Sequence, residues 1–308
     1  MPRYINPATD FGFKHIFKDE EITRGFLNAL VKTQNPEIEI VKVSITDGEA
    51  DDMSSGIRRV VYDVHCTTDK GEVFVIEMQN DPQTFFSERI VYYLSRAASQ
   101  LQNKGYISHI DENGKEQKEP WNYHMKSIFG VFFMNFKDAN HAKKLSHFAF
   151  METTDNYIDS RVIQYWKIQM PLYRGIEEST CDGIIDKWMF NLSNLSTMER
   201  ELPFTEEIPL FMRLEKIASY SALTPKQQVQ YDDSFNNYLA YMGQQEYKLN
   251  EGIKIGEAKG RAEGRKEGIV EGEHQAKIFI ARTMKQHGDD IEYIAAVTGL
   301  TTDEIANL

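Results

Sequence analysis

Cysteine is scarce. The two in the 308-residue chain, Cys66 and Cys181, stand far apart and form no disulfide framework. Neither lies in a CxxC pair or a Cys/His cluster, so no structural zinc is signalled, and low cysteine usage fits a reducing cytosol. Long apolar runs are missing as well. No stretch reaches the roughly 18 residues that span a bilayer. The segment Met1 to Phe17 carries Asp10, Lys14 and His15 rather than an apolar run, so no signal peptide is expected. The expectation is a cytoplasmic protein with no membrane association. Positive charge is also in deficit: 35 Lys and Arg face 47 Asp and Glu, a formal net charge of −12. A surface that bound nucleic acid everywhere would be basic, so any such contact has to be a local groove.

The composition is otherwise that of a globular chain, 41% hydrophobic and 12% aromatic. That is enough to bury a sizeable core without disulfides, as one large domain or a core with appendages. From Asp10 to Val31 apolar residues recur at helical spacing, with a break at Lys18 to Glu20. Ile38 to Ile45 is β-rich, and Asp47 to Gly56 reads as a loop. Arg58 to Thr68 and Glu72 to Gln79 read as two strands joined by Asp69-Lys70-Gly71, a strong turn signal. Phe85 to Gln102 is expected as a helix with Ile90, Tyr93, Leu94 and Ala97 on one side. Ser127 to Met134 is continuously apolar, as in a buried strand. His147 to Glu152 and Val162 to Met170 are further strands, and beyond Gly183 the pattern is mostly helical.

The hairpin carries the chemistry. With Thr68 facing Glu72 across a three-residue loop, Asp63 falls opposite Glu77. Directly opposed residues have Cβ atoms roughly 4.5–5.5 Å apart. Alternation of faces makes Gln79 point the same way as Glu77. Two opposed carboxylates repel unless a cation lies between them, and carboxylate and amide oxygens are the hard ligands Mg²⁺ prefers. A solvated polar face on a half-buried hairpin is the alternative. Against it, Val73 to Ile76 is apolar on both faces, and carboxylates ending a buried strand are costly unless paired or metal-bound.

Three segments resemble the bacterial PD-(D/E)XK nuclease family transposases, which are related to the recombination-promoting nucleases. They are INPATDFGFKHIF (Ile5 to Phe17), YDVHCTTDKGEVFVIEMQN (Tyr62 to Asn80) and FSERIVYYLSRAASQLQNKGY (Phe86 to Tyr106). The resemblance implies an α/β, restriction-endonuclease-like mixed sheet flanked by helices, with a helical C-terminal extension. It implies hydrolysis of DNA phosphodiesters with Mg²⁺, Mn²⁺ and Ca²⁺ being alternatives. By residue, Asp63 resembles the metal-binding aspartate and Glu77 the acid of the E-x-K element, where Gln79 replaces lysine. Glutamine cannot supply the charge that a lysine gives the phosphate, so Lys14 is a candidate replacement cation. Asp10 is either a further metal or water ligand or a helix N-cap. Arg89, one turn before Tyr93, is either a phosphate contact or a surface ion pair with Glu88 or Glu77. His65, on the same strand face as Asp63, reads as structural. The expected division is a nuclease-like core at 1–175, a helical region at 176–248, a charged segment at 249–276 and a C-terminal hairpin at 277–308.

In the charged segment glycine recurs every fourth residue, at Gly252, Gly256, Gly260, Gly264, Gly268 and Gly272. Each costs a helix roughly 1 kcal/mol relative to alanine, yet a four-residue period lays them on one stripe that permits close helix approach. A self-association helix giving a homo-oligomer is favoured over a flexible linker. From Ile278 onward short helices broken at Gly288 and Gly299 are expected. Ile291 to Leu308 resembles a helix-turn-helix, but its second helix carries Asp303 and Glu304 and no Lys or Arg. Phosphates repel such a surface, which favours a packing or protein-contact role. The function expected is a metal-dependent DNA endonuclease in recombination or mobile-element biology; a non-catalytic nuclease-fold module that binds DNA or protein is the alternative.

Overall fold

The computed structural model describes residues 2–46, 62–101, 106–110, 115–120, 124–138 and 141–308. The expected loop Asp47 to Gly56 and the start of the strand expected from Arg58 lie outside the described residues. The first helical stretch is two helices, α1 (Asp10–Phe17) and α2 (Glu20–Val31). The break between them falls where Asp19 caps α2, its Oδ1 accepting from the Ile22 N–H at 3.0 Å. Of the two roles open to Asp10, the N-cap is supplied instead by Thr9, whose Oγ1 accepts from the Gly12 N–H at 3.0 Å. Asp10 is the first helical residue, where its negative charge still suits the helix dipole.

The strands are β1 (Val43–Thr46), β2 (Val64–Thr68), β3 (Val73–Gln79), β4 (Tyr106–Ile110), β5 (Glu116–Pro120), β6 (Ile128–Met134), β7 (Leu145–Met151) and β8 (Ile158–Gln169). β1 starts later than the β-rich stretch. At Ile40 the backbone N–H and C=O are both taken by the side-chain amide of Asn28, each at 2.9 Å, in place of a strand neighbour. β4 and β5 form a separate antiparallel pair that the sequence did not announce. The EQKEP of β5 is polar on both faces and gives no two-residue hydrophobic period.

The other six strands make one mixed sheet in the order β1-β2-β3-β6-β8-β7. β3, β6 and β8 run parallel, and both flanks are antiparallel. Every residue of β6 is buried, as its apolar run requires. One sheet face carries Phe74, Ile76, Phe129, Phe133 and Trp166 and packs with α1 and α2 and with the later helices α4 (Ile184–Asn194) and α5 (Leu210–Ala218). On the other face Val73, Val75, Ile128 and Phe132 meet Ile90, Leu94 and Ala97 of α3 (Phe86–Leu101). The expected helix from Phe85 and the strands from Ser127, His147 and Val162 thus form within a few residues of their expected ends.

The chain falls into two compact units, Met1–Tyr238 and Leu239–Leu308. A single helix, α6, runs from Pro225 to His287, so the glycine-repeat segment is helical. A Cβ added at any of the six glycines would meet nothing within 4 Å. In the second unit the helices α7 (Ile291–Thr298) and α8 (Thr302–Ala306) follow Gly288 and Gly299, both left-handed, with φ of 86° and 71°. They bury Ile294, Leu300 and Ile305 against Ala281. Lys285 donates to the C-terminal carbonyls of Ile305 and Ala306 at 3.0 and 2.8 Å. These contacts give the hairpin a packing role.

Gly130 in β6 tests the close seating of α3. A Cβ there would meet Phe132 at 2.5 Å and Leu94 of α3 at 3.1 Å. Gly130→Ala is expected to cost ~1–3 kcal/mol by overpacking, read as a lower urea midpoint at unchanged slope.

Candidate active site

Gly71, with φ of 80°, closes the β2–β3 turn. The Thr68 N–H donates to the Glu72 carbonyl at 2.9 Å, and pairing then runs Thr67 with Val73 to Val64 with Ile76. This is the register expected from the sequence. Beyond its end Asp63 and Glu77 are tied reciprocally. The Asp63 N–H donates to Glu77 Oε1 at 3.0 Å, and the Met78 N–H donates to Asp63 Oδ2 at 2.8 Å. Each carboxylate is held by the other residue's strand and keeps one oxygen, Asp63 Oδ1 and Glu77 Oε2, outside this pairing. Glu77 is only 4% exposed and Gln79 8%. Gln79 donates Nε2 to the Asp81 carbonyl at 3.1 Å, while its Oε1 accepts no hydrogen bond among the described residues.

Burial dominates the electrostatics. Desolvation, reinforced by the charge of Asp63, pushes the Glu77 carboxyl up to about 8. Desolvation also raises Asp63, against the Met78 N–H and the charge of Lys14. Two cations face the pair. Arg89 of α3 approaches Glu77 Oε2 at 3.9 Å, and its pose is set by neutral partners. It donates to the Tyr93 hydroxyl at 2.9 Å and to Gln83 Oε1 at 3.1 Å, with the guanidinium 4.8 Å above the Tyr93 ring. The partner is Glu77, one of the two carboxylates expected, and not Glu88. Lys14 of α1 lies 2.6 Å from Asp10. Burial works to lower its amine, but the bond to Asp10 and the charges of Asp63 and Glu77 reverse this and leave it raised. Asp10 is exposed and adds negative charge near Asp63. The structure thus brings Asp63, Glu77, Gln79, Arg89, Lys14 and Asp10 to one strand end.

His65 stays apart, its Nδ1 2.8 Å from the Thr46 hydroxyl and its ring stacked on Tyr62. Sequence reasoning missed Gln83, which orients Arg89, and Asn80, whose Nδ2 donates to the Ala8 carbonyl at 2.8 Å. Asn80 thereby ties the end of β3 to the residues entering α1. Nothing in the local sequence distinguishes either from an ordinary loop polar residue.

Among the described residues no group of three or more His, Cys, Asp or Glu is placed to hold a metal ion. Two carboxylates nevertheless suit Mg²⁺, which is commonly held by one or two carboxylates with water and substrate phosphates completing the shell. Asp63 Oδ1, Glu77 Oε2 and Gln79 Oε1 are hard donors on one sheet face, and Arg89 stands 3.9 Å from Glu77 Oε2, too far to satisfy it by a hydrogen bond. The residues therefore fit a divalent metal.

A mixed sheet with helices on both faces and an acidic pair tied across the β2–β3 hairpin is the arrangement of a nuclease-type α/β domain. The profile of the PD-(D/E)XK nuclease family transposases matches residues 7–242, and the chain belongs to that family. No curated protein and no solved structure matches it. Among the described residues no helix is long and apolar enough to cross a membrane.

The Glu77 shift has a sign that can be checked. Its folded-state pKa lies above the ordinary 4.5, so the folded state binds the proton more tightly. The resulting stabilisation is fully present below about pH 4.5 and is lost as pH rises through about 8. In EDTA, Glu77→Gln is expected to be more stable than wild type at pH 8 by a few kcal/mol, with a ceiling of about 5 kcal/mol at roughly 1.4 kcal/mol per pKa unit. The gap should close toward pH 4.5, as followed by urea denaturation across that range.

Proposed function

We propose that this chain is a divalent-metal-dependent DNA endonuclease, acting in the cytoplasm in recombination or mobile-element biology. The observation that carries this reading is the reciprocal tie between the half-buried carboxylate of Asp63 and the buried carboxylate of Glu77. The tie holds the two carboxylates side by side, with Asp63 Oδ1 and the Arg89-facing Glu77 Oε2 left for a cation to share. Asp63 and Glu77 would hold Mg²⁺, with Mn²⁺ or Ca²⁺ able to occupy the same oxygens. Bound there, such an ion supplies a lowered pKa for water and neutralises charge developing on the phosphate.

The remaining roles fall to the protein's own groups. Gln79 is neutral, so its amide can orient a water or a phosphate oxygen but adds no charge. Lys14 supplies a positive charge from α1, kept protonated by Asp10. Arg89 already lies against Glu77 and is anchored by Gln83 and Tyr93. A planar guanidinium in that position suits a phosphate. Because burial keeps the Glu77 proton in place near neutral pH, cation binding is coupled to proton release.

A second reading, a non-catalytic relative that binds DNA or protein, is favoured by Gln79 in place of lysine. The glycine stripe on α6 suits self-association into a homo-oligomer, which light scattering of the intact protein would measure.

Supercoiled plasmid incubated with Mg²⁺ should be nicked or linearised, and EDTA should stop the reaction. Asp63→Ala should lower the rate at least 100-fold, on the order of losing a principal transition-state contact. Metal-dependent cutting that survives this substitution overturns the site. Calorimetric Mn²⁺ binding that vanishes in Glu77→Ala, with proton release scaling with buffer ionisation enthalpy, counts against the non-catalytic reading.

A further inference from the structure

We propose that Arg174 is a second contact to the DNA backbone, gripping a phosphate that flanks the one at the carboxylate pair; this rests on the nuclease reading above. Arg174 follows β8 after the short turn Met170–Leu172. Its Nη2 donates to Asn135 Oδ1, and its Nε donates to the Ser193 carbonyl at 3.3 Å. Asn135 comes directly after β6, and its N–H donates to the Gln79 carbonyl at 2.9 Å. The Asn135 Nδ2 donates to Asn80 Oδ1 at 2.9 Å and to the Tyr238 hydroxyl at 3.1 Å. A chain of neutral amides therefore links the guanidinium to the residue next to Gln79.

Two features suit this network to holding a phosphate. The first is place. Asn80 and Asn135 sit at the carboxyl ends of the parallel strands β3 and β6, where open α/β sheets bind ligands. Arg89 reaches the carboxylate pair from the α3 side. Arg174 is tied through Asn80 to Ala8, ahead of α1, and so stands on the other side of the same strand ends.

The second is charge. Arg3, Arg200 and Arg213 spend their charge on Glu215, Glu178 and Asp19. Arg174 has no carboxylate within 4 Å among the described residues and is held by neutral oxygens alone. Neutral acceptors fix the pose of the guanidinium and leave its positive charge uncancelled. In a chain of net charge −12, whose site is itself acidic, an oriented, uncancelled cation at the strand ends offsets the repulsion a DNA backbone meets there.

The test is the salt dependence of binding to a fluorescein-labelled duplex, measured by anisotropy with the full chain carrying Asp63→Ala so that nothing is cut. Each neutralised phosphate contributes about 0.9 to the slope of log K against log salt. Adding Arg174→Ala should weaken binding several-fold at low salt and reduce the slope by about 0.9. Arg174→Lys should keep the slope, because lysine also neutralises a phosphate as a point charge. An unchanged slope in Arg174→Ala, or a lysine variant as impaired as the alanine one, overturns the proposal and leaves only a tie between β6 and α4. Cleavage by wild type together with an unchanged slope removes Arg174 while the nuclease reading stands. Arg174-dependent binding with no cleavage removes the catalytic reading while the contact stands. A parent that binds no duplex at any salt concentration overturns the contact.

Discussion

Two carboxylates facing each other across the hairpin, Asp63 just before β2 and Glu77 in the apolar strand β3, impose the main constraint on this protein. Burying the ionised carboxylate of Glu77 is costly, and the half-buried Asp63 beside it adds repulsion. The chain meets part of that cost with main-chain N–H groups, Asp63 and Met78 each donating across the hairpin. The donors are fixed by the sheet and need no further ordering. What they leave uncompensated appears as the raised proton affinity of Glu77. The site is a place of stored electrostatic cost, which a proton, Arg89 or a divalent cation can each relieve in part.

The rest of the core positions groups around that strand end. Parallel β3, β6 and β8 send their carboxyl ends to one edge, so the residues leaving them, Asn80 and Asn135, meet there. Helices on opposite faces then deliver cations from two sides, Lys14 from α1 and Arg89 from α3. Gly130 removes the side chain that would hold α3 away from the sheet. Gln79 shifts the charge balance. With no lysine inside the E-x-K element, positive charge comes from outside the strand, and each external cation is tethered. Lys14 is bound to Asp10, and Arg89 is braced by Gln83 and Tyr93.

The second unit follows different physics. Among the described residues α6 has no tertiary neighbour at the glycines of its repeat, and its charges pair locally, as in Arg261 with Glu257 and Lys259 with Glu263. Such exposed pairs contribute little each. The segment therefore lacks the burial that normally supports a helix of this length. Only at its end does a small apolar cluster form, where α7 and α8 fold back onto Ala281.

The sequence by itself determined the hairpin, its turn and its register, because those depend on local chemistry: a left-handed glycine at Gly71 and a two-residue period fix which residues oppose. It also determined that Asp63, Glu77 and Gln79 share a face, and that α1 and α2 separate at Asp19, where a cap competes with helix continuation. Tertiary structure decided the rest. Sheet order and the parallel pairing of β3 with β6 depend on packing of residues about fifty positions apart, which no local pattern encodes. β4 and β5 carry no hydrophobic period and went unseen. The cap role that was one of two readings of Asp10 falls to Thr9 one residue earlier, a choice made by the backbone entering the helix. Whether Arg89 would meet Glu77 or Glu88, and which polar residues would join Asn80, Asn135 and Arg174 into one network, depended on how helices and strand ends meet. Long side chains reach several partners, and only the packed fold selects among them.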